Sequence, residues 1–244
     1  MKYTFTYRTI SRYPKLNYLN KSISSLLKVC DFTNNGLLVI CSNDNTGYID
    51  DYSHILNYKL IIPNYIANPN ETALLAIREA TKIDTEYIVF CEDDIIFSHL
   101  LVSKMDEFIK ITDFKNNTDI PIGVLYTAPY HGHMSAFSEN KDNWKYPVID
   151  FYGTQCFIMT KQTAIKFADT MELYLHDIKS FPWELVPYHE FLSFRMFDFW
   201  IKEIFKYLNP ELQYFYSIVP SLCQHIGVES VMDCDFHSTN CFLE

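Results

Sequence analysis

Tyr87-Ile-Val-Phe-Cys91-Glu92-Asp93-Asp94-Ile95-Ile-Phe97 is the stretch on which the reading of the chain turns. An apolar run, rich in β-branched and aromatic side chains, stops on three consecutive carboxylates and then resumes. Such a run suits a strand buried on both faces, and open α/β sheets bind their ligands at the carboxyl ends of such strands. Three adjacent anions at the edge of a core repel one another and lose solvation, and a divalent cation between them relieves both effects. A solvated strand end is the alternative, and the apolar residues on both sides argue against it.

Upstream of this stretch, strands and helices alternate. Lys2 to Arg8 alternates threonine with aromatics as a strand does, Thr9 to Pro14 is a polar loop, and Leu19, Ile23, Leu26 and Leu27 give Tyr18 to Val29 a helical period. Gly36 to Cys41 is a second buried strand ending in the turn-rich Ser42 to Gly47, and Tyr58 to Ile62 is a third. Asn68-Pro69-Asn70-Glu71 has the form of a capping box with proline at the first helical position, opening a helix to about Lys82.

Downstream, the pattern predicts a helix from Ser98 to about Phe114 and a strand from Pro121 to Tyr126. Thr127 to Pro147, with His131 and His133, has no period and reads as a binding loop or lid. Val148 to Met159 reads as a strand pair around Gly153, Lys161 to Tyr174 as a helix, Phe197 to Leu208 as a helix with Asp198 at its start, and Gln213 to Pro220 as a late strand. The alternation predicts an α/β fold with a central, mostly parallel sheet flanked by helices. We read one domain over residues 1–228, with a division near 126/127, and a polar tail over 229–244.

The 244 residues suffice for one large α/β domain. A formal net charge of −10 excludes binding of nucleic acid through a broad basic surface, so an anionic ligand needs a local cation. Seven cysteines are scattered, several inside apolar runs, and read as reduced core thiols. With no signal-like segment and no long apolar run, the expected location is cytoplasmic, without a transmembrane segment.

The chain resembles the nucleotide-sugar-dependent glycosyltransferases of the GT-A fold, which build polysaccharides and related glycans. The resemblance rests on Glu92-Asp93-Asp94 after a hydrophobic strand, Ser42-Asn43-Asp44 after the second strand, and Pro220-Ser-Leu-Cys-Gln-His225-Ile-Gly227 near the end. It implies a single GT-A-like, Rossmann-like domain, with a nucleotide-sugar half over 1–126 and an acceptor half over 127–228. It also implies a UDP- or GDP-type sugar donor held through Mn²⁺ or Mg²⁺ and a glycan or glycolipid acceptor. In that family's terms Asp94 is the direct metal ligand, Glu92 holds the metal or its water, and His225 completes the metal site. Asp93 contacts the ribose or donor sugar, and Thr9, Arg8, Arg12, Asp44 and Arg78 belong with the donor. Glu at the first place of the triplet, where Asp is commoner, puts direct metal contact from Glu92 in question.

An inverting transfer also needs a carboxylate base for the acceptor hydroxyl. Asp198 is our choice, Glu190 and Glu184 compete, and Asp150 is more remote. Each candidate has a plainer reading. Asp198 serves a helix dipole equally well, Arg8 and Arg12 suit surface ion pairs, and His225 suits an ordinary hydrogen bond. Cys223, His225, Cys234, His237 and Cys241 would suit structural zinc only loosely, because paired C-x-x-C spacing is missing. Two rival functions follow from the same residues: a carbohydrate- or nucleotide-binding module that has lost catalysis, and a metal-dependent nucleotidyltransferase.

Overall fold

A computed structural model gives the structure of the protein at residues 1–10, 17–42, 46–65, 67–127, 145–151, 153–184, 197–227 and 242. Ten strands and five α-helices are described. In chain order they are β1 (Tyr3–Thr9), α1 (Tyr18–Val29), β2 (Gly36–Cys41), β3 (Tyr58–Ile61), α2 (Pro69–Thr81), β4 (Tyr87–Glu92), β5 (Ile95–Phe97), α3 (Leu101–Ile111), β6 (Gly123–Val124), β7 (Lys145–Pro147), β8 (Cys156–Thr160), α4 (Lys161–Leu175), α5 (Phe197–Leu208), β9 (Tyr214–Ser217) and β10 (Cys223–His225).

Eight strands form one sheet in the order β3-β2-β1-β4-β8-β6-β9-β7, and β5 pairs with β10 in a separate two-stranded ribbon. The β3-β2-β1-β4 half is parallel throughout, β8 runs antiparallel between β4 and β6, β6 and β9 are parallel, and β7 closes the edge antiparallel. The α/β class with a mostly parallel, helix-flanked sheet is therefore the one the sequence predicts.

The pleat sorts each strand between two cores. Phe5, Tyr7, Val39, Val89 and Cys91 pack with Leu19, Ile23 and Leu26 of α1 and Met105 and Phe108 of α3. Leu38, Ile40, Ile88 and Phe90 point the other way, onto Ala73, Ile77 and Ala80 of α2, Phe167 and Met171 of α4, and Phe197, Trp200 and Ile204 of α5. Alternate residues facing opposite layers is what a period of two dictates in a sheet covered on both sides.

The helix at Pro69 carries the full capping box: the Asn68 side chain accepts from the Asn70 and Glu71 N–H groups, and the Glu71 carboxylate accepts from the Asn68 N–H. Two expectations need correction. Val148–Asp150 is a 3-10 turn rather than the first strand of a pair, because its chain bonds back on itself from the Phe151 N–H to the Val148 carbonyl. The strand near Pro121 is reduced to Gly123–Val124. Cys30, Cys41, Cys91, Cys156 and Cys223 are buried free thiols. No helix among the described residues is long and apolar enough to cross a membrane.

Candidate active site

The candidate site lies at the carboxyl ends of β1, β2 and β4. Register builds it, because Arg8 stands opposite Glu92 in the β1–β4 ladder and the next residues, Thr9 and Asp93, follow in step. The pleat then divides the four. Thr9 and Asp93 face the α1 side, where the Thr9 hydroxyl donates to Asp93 Oδ2 at 2.6 Å and lies 3.2 Å from the Tyr48 hydroxyl. The Tyr48 hydroxyl also meets Cys41 Sγ, and its carbonyl accepts from the side chains of Asn17 and Asn20. Asp93 is thus a buried carboxylate, 3% exposed, with its orientation fixed from β1.

Arg8 and Glu92 face the other layer. The Arg8 guanidinium donates through Nε to Glu92 Oε2 at 2.9 Å and through Nη2 to Oε1, and its Nη1 donates to the Pro69 carbonyl at 2.8 Å. It also lies over the rings of Phe90 and Phe197, 5.7 and 5.3 Å from their centroids. Burial by itself would lower the Arg8 pKa, and the adjoining Glu92 more than restores it, so the guanidinium stays charged.

Asp94 is placed by a different device. Asp93 and Asp94 form the turn between β4 and β5, and β10 pairs antiparallel with β5 so that His225 stands opposite Ile95. The Ile226 N–H donates to the Asp94 carbonyl, and His225 Nε2 lies 3.2 Å from Asp94 Oδ2. Gly227 closes over the pair: a β-carbon there would stand 2.5 Å from Asp94 Oδ2 and 2.9 Å from His225 Nε2.

Among the described residues, no group of three or more His, Cys, Asp or Glu side chains is arranged to hold a metal ion. The pair nevertheless fits a divalent cation that is completed by substrate. Adjacent ligands of an octahedral ion at about 2.1 Å are about 3 Å apart, close to the separation seen here, and Mg²⁺-type sites characteristically use one or two protein ligands plus phosphate and water. The missing Gly227 side chain leaves the close approach open.

Asp198 sits in the first turn of α5, 9% exposed. Its Oδ1 accepts from the Gly153 and Thr154 N–H groups, each at 3.2 Å, and the Thr154 hydroxyl donates to the carboxylate as well. Burial pushes its pKa above the ordinary 3.8, while the Gly153 N–H, the Thr154 hydroxyl and Lys202 pull it back. A carboxylate oriented by fixed donors and made more basic by desolvation is equipped to accept a proton.

The α/β architecture is similar to that of S. aureus TarS. The fold is shared with TarS. The crystal structure of TarS 1-349 aligns with 97% of this chain at a TM-score of 0.54 and 14% identity, and the chain spans 60% of that structure. The same fragment in complex with UDP aligns with 90% of this chain at a TM-score of 0.51 and 13% identity, with 61% of it covered. A longer TarS structure aligns at a TM-score of 0.51 and 11% identity, and the chain spans 37% of it. No protein-family model matches the sequence, and no curated protein does.

The structure brings together Arg8, Thr9, Glu92 and Asp93 at one strand end, with Asp94 on the adjoining turn and His225 beside it at the end of β10. It does not bring Arg78 there. Arg78 is in the last turn of α2, a helix whose first turn meets Arg8, and it bonds Asp169 and Glu172 of α4 at the opposite end of the sheet. There it clamps two helices together. Arg12, Asp44 and Glu190, along with His131, His133, Cys234, His237 and Cys241, lie outside the described residues. Glu184 is exposed, with its N–H donating to buried Glu203, and Trp183 packs on Phe181 and Trp200 within the ring cluster. Sequence reasoning missed Tyr48, whose signal was only an aromatic after the turn-rich segment that follows β2.

Proposed function

We propose that the protein is a metal-dependent glycosyltransferase of the GT-A type, passing a sugar from a UDP- or GDP-type donor to a glycan or glycolipid acceptor with inversion. The observation that carries this reading is the convergence of Asp93, Asp94 and His225 at the carboxyl end of a parallel sheet half, the place where such sheets take nucleotides. The shared fold of TarS 1-349, a protein crystallised with UDP, supports it.

On this reading residues 1–126 hold the donor and 127–228 the acceptor. Asp94 and His225 would hold Mn²⁺ or Mg²⁺, which when bound supplies Lewis-acid stabilisation to a departing diphosphate. Thr9 keeps Asp93 aimed, so that its carboxylate can accept from a ribose or sugar hydroxyl. Arg12 and Asp44, which follow β1 and β2 in the sequence, are assigned to the nucleoside. Asp198 takes the proton of the acceptor hydroxyl as the new bond to the sugar forms, with Gly153 and Thr154 fixing its direction. Glu190 is the second candidate for that role.

Incubation of the protein with Mn²⁺ and a panel of nucleotide sugars tests the reading, with nucleoside diphosphate release as the readout. Asp94→Asn is expected to lose both metal-dependent UDP binding and release. Asp198→Asn is expected to keep UDP binding within about threefold and lose turnover by about 10²-fold or more, the usual scale for a general base. UDP binding without release from any donor would identify a binding module instead. Pyrophosphate release from a nucleoside triphosphate would identify a nucleotidyltransferase.

A further inference from the structure

We infer that Arg8 is a positioning residue that withdraws Glu92 from the acidic turn, leaving Asp93 and Asp94 as the carboxylates presented to the donor, and that the Arg8–Glu92 pair ties this turn to α2 and α5. The metal half of this inference rests on the function proposed above; the strut half does not.

Register makes Arg8 and Glu92 direct neighbours, and the pleat turns both toward α2 and α5, away from the face that carries Thr9 and Asp93. Both Glu92 oxygens are engaged by one guanidinium fork, a geometry that uses the two oxygens in the plane where a cation would otherwise bind them. The side chains of Arg8 and Glu92 are 12% and 19% exposed, so neither is a loose surface partner. The third guanidinium nitrogen is bonded to the Pro69 carbonyl at the start of α2, and the face of the group lies against Phe197 at the start of α5. One cation thus touches β4 and the first turns of two helices, one of which carries Asp198 in its next position. A lysine could replace the charge but not the fork or the stacking.

The consequence for the site is one of charge. Arg8 cancels Glu92, so a cation bound beside Asp94 meets the field of two carboxylates rather than three. Removing Arg8 while leaving Glu92 should therefore tighten metal binding, an effect opposite to that of simple damage.

Mn²⁺ binding to the whole chain without nucleotide, measured by calorimetry and electron paramagnetic resonance at pH 8, tests this. Glu92→Gln, which leaves the Arg8 charge uncompensated, should bind about tenfold more weakly than the parent, and Asp94→Asn, which also loses a direct ligand, more weakly by about 10²-fold or more. Arg8→Met should bind about tenfold more tightly, and Arg8→Met/Glu92→Met should return to the parental value; these fold-changes are on the scale of one added or removed charge at a partly screened site. Arg8→Lys should stay close to the parent in metal affinity because the charge is kept. A double variant that binds as weakly as Asp94→Asn would overturn the inference, as would unchanged or weaker binding by a folded Arg8→Met. If Arg8→Met does not fold, Glu92→Gln and the double variant decide the metal half. If the parent binds no Mn²⁺, the metal reading fails and the strut is judged by thermal unfolding. A double variant more stable than the Glu92→Met and Arg8→Met single variants supports the strut, and additive losses reject it.

Discussion

Gly227 has no side chain at a point where one would strike both members of the Asp94–His225 pair. Gly227→Ala must therefore push the pair apart or bend β10, an overpacking effect of about 1–3 kcal/mol. We expect metal-dependent UDP binding to weaken by about tenfold or more with Tm lowered by only a few degrees, read by calorimetry beside a melting curve. Asp198 gives a second residue-level expectation. Its folded pKa is raised by burial above its ordinary value of 3.8, so the native state binds the proton more tightly than the unfolded chain. Its contribution to stability is full below the ordinary value and declines as pH rises through the folded one. Urea unfolding at a series of pH values from 3.5 upward, as a test grid, should show that decline in the parent and a shallower one in Asp198→Asn; equal slopes would remove Asp198 from the account. The acidic triplet and His225 could be picked from the sequence because carboxylates inside apolar runs and a histidine beside glycine are locally conspicuous. The partnership of Arg8 with Glu92 could not, because it exists only once β1 and β4 are neighbours in register.

At the scale of elements, the capping box at Asn68 does more than start α2. It fixes the first turn whose Pro69 carbonyl receives Arg8, so a frayed helix start would loosen the guanidinium as well. Asn68→Ala is expected to destabilise the fold by about 1 kcal/mol, seen as a lower urea midpoint with an unchanged slope. Long helices were legible from their apolar period: Tyr18–Val29 and Phe197–Leu208 have the bounds that the sequence predicts. The short strands were not. β5 and β10 have three residues each, too few for any period to register, and they exist because a partner strand lies alongside. Val148–Asp150 is a 3-10 turn where the sequence predicts a strand, because the β-branched Val148 and Ile149 carry no information about which carbonyl their N–H groups will find.

For the whole molecule, alternation of strand and helix was enough to predict a mostly parallel α/β sheet, since a parallel pair requires a crossover. The order β4-β8-β6-β9 was beyond reach, because it inserts a strand from the second half of the chain between two from the first. This interleaving joins the proposed donor and acceptor halves through a shared sheet rather than a hinge. The ribbon of β5 and β10 has a further effect. A chain ended before Ser221 would retain every strand of the eight-stranded sheet and lose β10, and we expect it to lose Mn²⁺-dependent UDP binding, measured by calorimetry on a variant shown to fold by its melting transition.

The ribbon also gives the site a history during synthesis. Asp94 is made early and waits beside an unpaired β5 strand, while His225 emerges only after the eight strands of the main sheet have left the ribosome. Because a domain folds as a unit, the Asp94–His225 pair can form only once β10 as well as the main sheet has been synthesised. Competence to bind the ion would then arrive only after the whole of the main sheet has been made.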